Sequence, residues 1–384
     1  MAKVVVGLSG GVDSSVAAAL LLEEGHEVIG IFMKNWHDDS VTISDDCPWL
    51  EDSQDALLVA EKLGIPFQTI DFSKEYKERI VDYMFNEYEA GRTPNPDVLC
   101  NREVKFDIFL DFAQNLGADY VATGHYCRKG IKTNDKGETT FELIAGKDNN
   151  KDQSYFLCQI NQEQLAHALF PIGEFEKHEV RAMAEKLDLT TAQKKDSQGL
   201  CFIGKVRLPD FLQQKLSKKE GEVIEIARDH AMFSKDWDYN PYHFDKNDGK
   251  IVGKHIGAHF YTIGQRRGLG IGGYETPLFV LGTNVEENII FVGQGEDHPG
   301  LNRDKMSIPL SECHWVNPNE QLKQDETWKG KARIRYRQPL QEVTIRRKDD
   351  HITFDFSLPQ RGISPGQFVA WYAEEVLVGS GVIQ

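Results

Sequence analysis

Two groups of residues in this chain could do chemistry. The first is the turn Ser9-Gly10-Gly11-Val12-Asp13-Ser14-Ser15, set between an apolar run and a helical apolar pattern. Such a turn is an anion site, because backbone N–H groups converge on it and the helix dipole adds partial positive charge. Gly10 and Gly11 let the backbone approach an oxygen, and the serines add hydroxyl donors. The lysine of the common G-x-x-x-x-G-K-[ST] loop is missing. That lysine suits transfer of a γ-phosphate. A turn without it can hold pyrophosphate and leave the α-phosphate open to attack. A tight turn with no ligand is the plainer alternative; the position after a buried strand and before a helix argues for a ligand.

The second group is two cysteines. Cys100 follows Asn95-Pro96-Asp97, which reads as a turn, and precedes Arg102 and Lys105. Cys201 follows Asp196-Ser197-Gln198-Gly199 and precedes Lys205. Polar loops with basic neighbours favour a thiolate, although two unreactive loop thiols fit these residues equally well. Cys127, Cys158 and Cys313 stand in apolar or strand-like surroundings and read as packing residues. Six scattered cysteines with no C-x-x-C pair suggest neither a disulfide framework nor a zinc site. His125 has no second ligand at metal spacing, so no protein-held metal is expected.

The elements that must position these groups follow from periodicity. Val4–Gly7 and Glu27–Phe32 read as buried strands flanking a helix over 13–24, with Gly25 at its C-terminal turn. Helices around 53–63, 74–89 and 104–116 alternate with strands at 66–72 and 119–126. This βαβ order predicts a doubly wound parallel sheet covered on both faces. A helix over 177–187 leads to the loop carrying Cys201. The chain is expected to divide into a catalytic domain at 1–207, a small central domain at 208–277 and a C-terminal β-barrel at 278–384, where short alternating segments dominate. Residues 130–140 read as a hairpin tip or a mobile loop.

The net charge of −16 argues against a polyanionic partner, but the charge is segregated. Residues 33–55 hold one lysine against seven acidic residues, whereas 331–348 hold seven basic residues against Glu342 alone. A local RNA-binding surface is therefore compatible with the composition. No signal-peptide pattern and no membrane-length apolar run are seen, so a cytoplasmic protein without a membrane partner is expected.

The turn Ser9–Ser15 resembles the PP-loop of the ATP pyrophosphatase superfamily, whose members adenylate a carbonyl oxygen. Five further stretches narrow the resemblance to the bacterial tRNA 2-thiouridylases: GRTPNPDVLCNREVKF (91–106), ATGHY (122–126), KDQSYFL (151–157), DSQGLCFIGK (196–205) and YTIGQRRGLGIGG (261–273). The resemblance implies that ATP, with magnesium, activates C2 of the wobble uridine and that sulfur replaces its oxygen. It implies an ATP site of Gly7, Leu8, Ser9, Gly10, Gly11, Val12, Asp13 and Ser14 with Met33 and Gly124. Asn95, Pro96 and Asp97 would meet the target base, Asp97 as base or ring-orienting group. His125, Lys151, Asp152, Gln153, Arg335, Tyr336 and Gln367 would meet tRNA. Cys201 would carry a persulfide from a sulfur-relay protein fed by a cysteine desulfurase. Cys100 would be the nucleophile that resolves it through a transient Cys100–Cys201 disulfide. Two rivals remain: a PP-loop amidoligase acting on a small substrate, and a non-catalytic RNA-binding or redox-sensing protein.

Overall fold

A computed structural model describes residues 1–35, 48–133, 136–195, 208–213, 215–234 and 238–384. Its first seven strands are β1 (Lys3–Gly7), β2 (Glu27–Lys34), β3 (Phe67–Asp71), β4 (Tyr120–Ala122), β5 (Cys127–Thr133), β6 (Thr139–Ala145) and β7 (Ala168–Leu169). Five of them form a wholly parallel sheet in the order β3-β2-β1-β4-β7. The helices that matter for the site are α1 (Val12–Glu23), α2 (Pro48–Leu63), α3 (Pro96–Cys100) and α4 (Lys177–Lys186).

The apolar run of β1 shows why the sheet sits where it does. Val4, Val5 and Val6 are all buried, and the pleat sends Val5 into one core while Val4 and Val6 enter another on the opposite face. Burying both faces leaves the carboxyl edge as the place where polar loops gather. The strand order reverses at β1, which has β2 on one side and β4 on the other. A crevice opens at such a point beyond the strand ends. Gly25 closes α1 with a positive φ of 83°, the conformation expected of it.

Asn95-Pro96-Asp97 departs from the turn expected of it. Asn95 caps α3, its side chain accepting from Val98 N at 3.3 Å, and Pro96 occupies the first helical turn. The helix continues through a π-helical stretch, Asn101–Ile108, into Phe109–Asn115. Asn and Pro are turn formers, but they are also the residues that start a helix. Cys100 therefore lies inside a helix, not on a loop.

Two strands, Gly221–Ile226 and Gly249–His255, pair within one sheet, and Leu278–Asn284 and Ile289–Gln294 complete it. The expected break between 277 and 278 thus falls inside one unit, which runs to Gln294. Strand alternation looks the same on both sides of a boundary, so periodicity could not mark it. The hairpin β5–β6, expected at 130–140, leaves the parallel sheet and joins the C-terminal antiparallel one, where Ile144 lies opposite Val376 and Leu143 opposite Leu377. A single core follows from this exchange: Cys100, Phe106 and Tyr155 pack together with Phe368, Tyr372 and Leu377. No described helix is long and apolar enough to cross a membrane.

Candidate active site

The glycine turn lies at the strand-order reversal, between the end of β1 and the start of α1. Ser14 Oγ accepts from Ser9 N at 3.1 Å, lies 3.1 Å from Ser9 Oγ, and donates to Gly11 O at 3.2 Å. These bonds fix the loop before any ligand arrives. Gly10 has a φ of 70°, and a Cβ there would run into the Asp52 carbonyl of α2. Gly124, just past β4, abuts the loop from the other side: its Cβ would stand 2.6 Å from Ser14 N and 2.7 Å from Asp13 C. Glycine is required at both positions because the contact is with backbone, which cannot swing aside.

A lysine is supplied from elsewhere in the chain. Lys177, at the start of α4, donates to both carboxylate oxygens of Asp13, at 2.8 and 2.9 Å, and Tyr126 Oη donates to Asp13 Oδ1 at 2.8 Å. Sequence reading missed Lys177, which stands 164 positions from its partner with no local motif around it. Lys194 likewise pairs with Asp52 and Asp55 of α2. Part of the acidic cluster at 33–55 is thus neutralised next to the loop. Asp13 is the carboxylate the turn itself offers, and its oxygens are engaged by Lys177 and Tyr126. Among the described residues, no three His, Cys, Asp or Glu side chains are grouped to hold a metal.

Met33 is buried on β2 with its Cε over Gly7, where a Cβ would lie 3.2 Å away. Thr123 Oγ1 is 2.7 Å from His125 Nδ1, and the His125 ring packs beside Phe106 and Phe170. Burial, assisted by the charge of Lys105, holds His125 well below the usual imidazole range, so it is neutral.

Cys100 is fully buried in the shared core. Burial pushes its thiol up to about 12; Lys105 opposes this and Asp97 adds to it. The basic neighbours seen in sequence do not prevail over desolvation, so the expectation of a favoured thiolate is corrected for this state. At pH 8 the thiolate fraction is about a thousandfold below that of a thiol titrating near 9. Iodoacetamide labelling of Cys100, followed by peptide mass spectrometry, is expected to be slower than for an exposed cysteine by about that factor. Labelling at the exposed rate would place Cys100 outside the core. Cys201 lies outside the described residues, as does Cys47.

The remaining expected contacts divide. Gln367 Nε2 donates to Thr93 O at 2.7 Å and Pro94 O at 3.2 Å, and Thr93 N donates to Pro365 O. The barrel thereby grips the segment entering Asn95-Pro96-Asp97. Arg335 donates to the carbonyls of Gly362 and Ile263 and, with Gln367, Thr93, Thr262 and Gln265, lines a cavity of about 410 Å³. Tyr336 packs on Phe156 of the KDQSYFL stretch, ring centroids 4.3 Å apart. Asp152 and Gln153 use their side chains inside the protein: Asp152 pairs with Arg333, and Gln153 Oε1 accepts from Tyr126 N at 2.9 Å. Lys151 is half-buried beside them.

The basic run is less of a bare surface than its composition suggests. Arg333 pairs with Asp152, Arg346 with Asp355 and Lys331 with Glu342, while Arg347 donates to Leu322 O. Strand pleating turns alternate residues inward, so clustering in sequence does not give clustering on one face.

Residues 2–205 match the family described as tRNA methyl transferase HUP domain, 240–294 its PRC-barrel domain and 305–383 the aminomethyltransferase beta-barrel domain. A protein of Christiangramia forsetii named tRNA-specific 2-thiouridylase MnmA is 60% identical over the whole of both chains. One of the same name from Flavobacterium johnsoniae is 59% identical, again over the whole of both. The chain belongs to the tRNA-specific 2-thiouridylase family. A more distant thiouridylase of that name, from Halalkalibacterium halodurans, is 47% identical over 99% of this chain and 94% of its own. The doubly wound domain, the central unit and the C-terminal barrel are the fold of this thiouridylase family, and the glycine loop at its strand-order reversal is that of an ATP-using PP-loop domain.

Proposed function

We propose that the protein is an ATP-dependent tRNA 2-thiouridylase acting on the wobble uridine. The glycine loop holds the pyrophosphate end of ATP with magnesium, and the uridine O2 attacks the α-phosphate to give an adenylated base and pyrophosphate. Sulfur arrives on Cys201 as a persulfide from a relay protein fed by a cysteine desulfurase. Its terminal sulfur attacks C2 and AMP leaves. Cys100 then attacks Cys201 Sγ, which releases 2-thiouridine and forms a Cys100–Cys201 disulfide for an external thiol to reduce. Asn95–Asp97 would seat the uracil, Asp97 as base or orienting group. His125, Lys151, Arg335 and Tyr336 would face tRNA. Gln367, Asp152 and Gln153 would act by holding the surfaces on which RNA rests.

The observation that carries this reading is the anchoring of the chain on either side of Cys201. Before it, Thr191 Oγ1 donates to Ser15 Oγ at 3.1 Å and Lys194 grips α2 behind Gly10. After it, Phe211 stacks on Phe85 at 5.3 Å within the core that contains Cys100. Cys201 lies six residues beyond Lys195 and seven before Leu208. The described segments on either side of Cys201 in the chain are thus held at the glycine loop and at the core of Cys100. The matched domain descriptions speak of methyl transfer, but a pyrophosphate-gripping loop and paired cysteines have no part in moving a methyl group.

Incubation with ATP, unmodified tRNA and a persulfide donor is expected to yield AMP, pyrophosphate and 2-thiouridine by nucleoside mass spectrometry. Formation of AMP with a small amide product, and no thionucleoside, would move the protein to the amidoligases. No AMP at all would make it a non-catalytic binder.

A further inference from the structure

The stretch Tyr261–Gly273 has no part in the chemistry above, yet its base is pinned to all three domains. Thr262 Oγ1 lies 3.0 Å from Thr93 Oγ1, and Thr93 stands two residues before Asn95. Arg335 of the barrel donates to Ile263 O at 3.4 Å. Gly264 N donates to Val280 O at 2.8 Å and Val280 N to Gln265 O at 3.0 Å, which ties the stretch to the central sheet. Gln265 then locks its own turn: its Oε1 accepts from Thr262 N at 3.1 Å and its Nε2 donates to Arg267 O at 2.9 Å.

The turn so fixed presents Arg266 and Arg267 to solvent, and neither is paired with a described carboxylate. The chain has 60 acidic residues against 44 lysines and arginines, and the barrel arginines Arg333, Arg346 and Arg361 all have carboxylate partners. Two adjoining like charges without a partner repel each other, so nothing internal rewards placing them together. Arg266 also borders a hollow of about 500 Å³ that Gly272, Tyr274 and Glu275 help to line. Gly268, Gly270 and Gly273 have positive φ, which accounts for glycine there. Gly272 does not, and a Cβ on it would meet nothing within 4 Å. Neither backbone nor neighbours require glycine at 272, and a glycine of that kind leaves room for a ligand to come close to the backbone.

We propose that Arg266 and Arg267 bind phosphates of the RNA strand beside the target uridine, with Gly272 kept small to admit that strand. This rests on the tRNA-thiouridylase reading above. Each guanidinium offers a planar fork of donors that matches phosphate oxygens, and two in succession fit a polyanion. Phosphate contacts fix the register of a nucleic acid without reading its sequence. Here the register is set through Thr93, which joins the arginine turn to the segment entering Asn95–Asp97. The other expected RNA contacts lie on the catalytic domain and the barrel; this one gives the central unit a part in holding RNA.

The test measures binding of unmodified tRNA to the full-length protein over a range of salt, together with pyrophosphate release from ATP. Arg266→Gln/Arg267→Gln is expected to weaken binding about 10- to 100-fold and to flatten the slope of log affinity against log salt by about 1 to 2. The KM for tRNA should rise by a similar factor, with kcat at saturating tRNA within a few-fold and the KM for ATP unchanged. Arg266→Lys/Arg267→Lys should restore most of the slope, because the slope counts charges that meet phosphate. Gly272→Glu, which the protein itself has room for, should weaken binding without lowering the melting temperature. Lys186→Gln removes an exposed charge from α4 and should leave the slope as it is. An unchanged slope in the double Gln variant, wild-type affinity in Gly272→Glu, or as large a loss per charge from Lys186→Gln each overturns the proposal. If wild type does not bind tRNA, the thiouridylase reading falls and the proposal with it; the other outcomes remove the proposal alone.

Discussion

Cys201→Ser is expected to lose tRNA thiolation by a factor of about 10³ or more while pyrophosphate release stays within a few-fold of wild type. The two readouts separate because two different parts of the protein carry them. Adenylation needs the glycine loop, whose geometry is fixed by Ser9, Ser14, Gly124 and the Asp13–Lys177 pair. Sulfur transfer needs a thiol that can bear a persulfide, and a hydroxyl cannot. Cys100→Ser should lose turnover to a similar degree but stall later. The base would remain joined to Cys201 through a disulfide, because no thiolate is present to break it. That species is a protein–tRNA adduct released by dithiothreitol and visible on a denaturing gel. An equal stall with no adduct would mean that Cys100 acts before sulfur reaches C2. Full activity of either variant would remove the cysteine mechanism altogether. The buried thiol of Cys100, pushed up to about 12, adds a condition. On the proposed mechanism, its reaction with Cys201 requires an arrangement in which the core around it is opened, and seating of the uracil at Asn95–Asp97, on the same helix, would be the event best placed to do so.

Much of this was legible in local sequence, and the reasons for the failures are physical. The glycine turn was readable because its needs are local: a strand, two small residues, a helix start. Cys100 was placed on the correct segment in the wrong environment, because Asn-Pro-Asp begins a helix here instead of a loop, and burial then dominates the thiol. Arg333 and Arg347 looked like part of a basic face, but pleating turns them inward. Lys177 and the grip of Gln367 on Thr93 were invisible, since each acquires meaning from a partner set by the tertiary fold. The break expected at 277 failed for the same reason that the barrel was recognised: strand patterning identifies a sheet but not which sheet.

Arg333→Met is expected to destabilise the protein by about 3–5 kcal/mol, as removing one partner of a buried ion pair does. Arg333 and Asp152 have side chains 7% and 4% exposed. Asp152 also accepts from Gly146 N and Ser154 N at 3.0 Å, and Ser154 Oγ lies 3.1 Å from the Tyr372 hydroxyl. With the guanidinium gone, the carboxylate stays buried with only neutral donors. Adding Asp152→Asn should recover most of the loss, because the amide oxygen still accepts from the backbone and no unpaired charge remains. Urea unfolding of the two single variants and the double variant closes a mutant cycle, and a coupling near zero would show that the pair is not what joins these surfaces. The functional readout follows from the chain of contacts. Arg333 holds Asp152; the adjoining Gln153 holds Tyr126; Tyr126 holds Asp13 in the glycine loop. A barrel residue thus bears on the ATP site through three bonded links, with no contact to ATP of its own. Arg333→Met should therefore raise the KM for ATP as well as for tRNA, and the double variant should restore both together. Restoration of stability without restoration of the ATP KM would break that chain at Gln153.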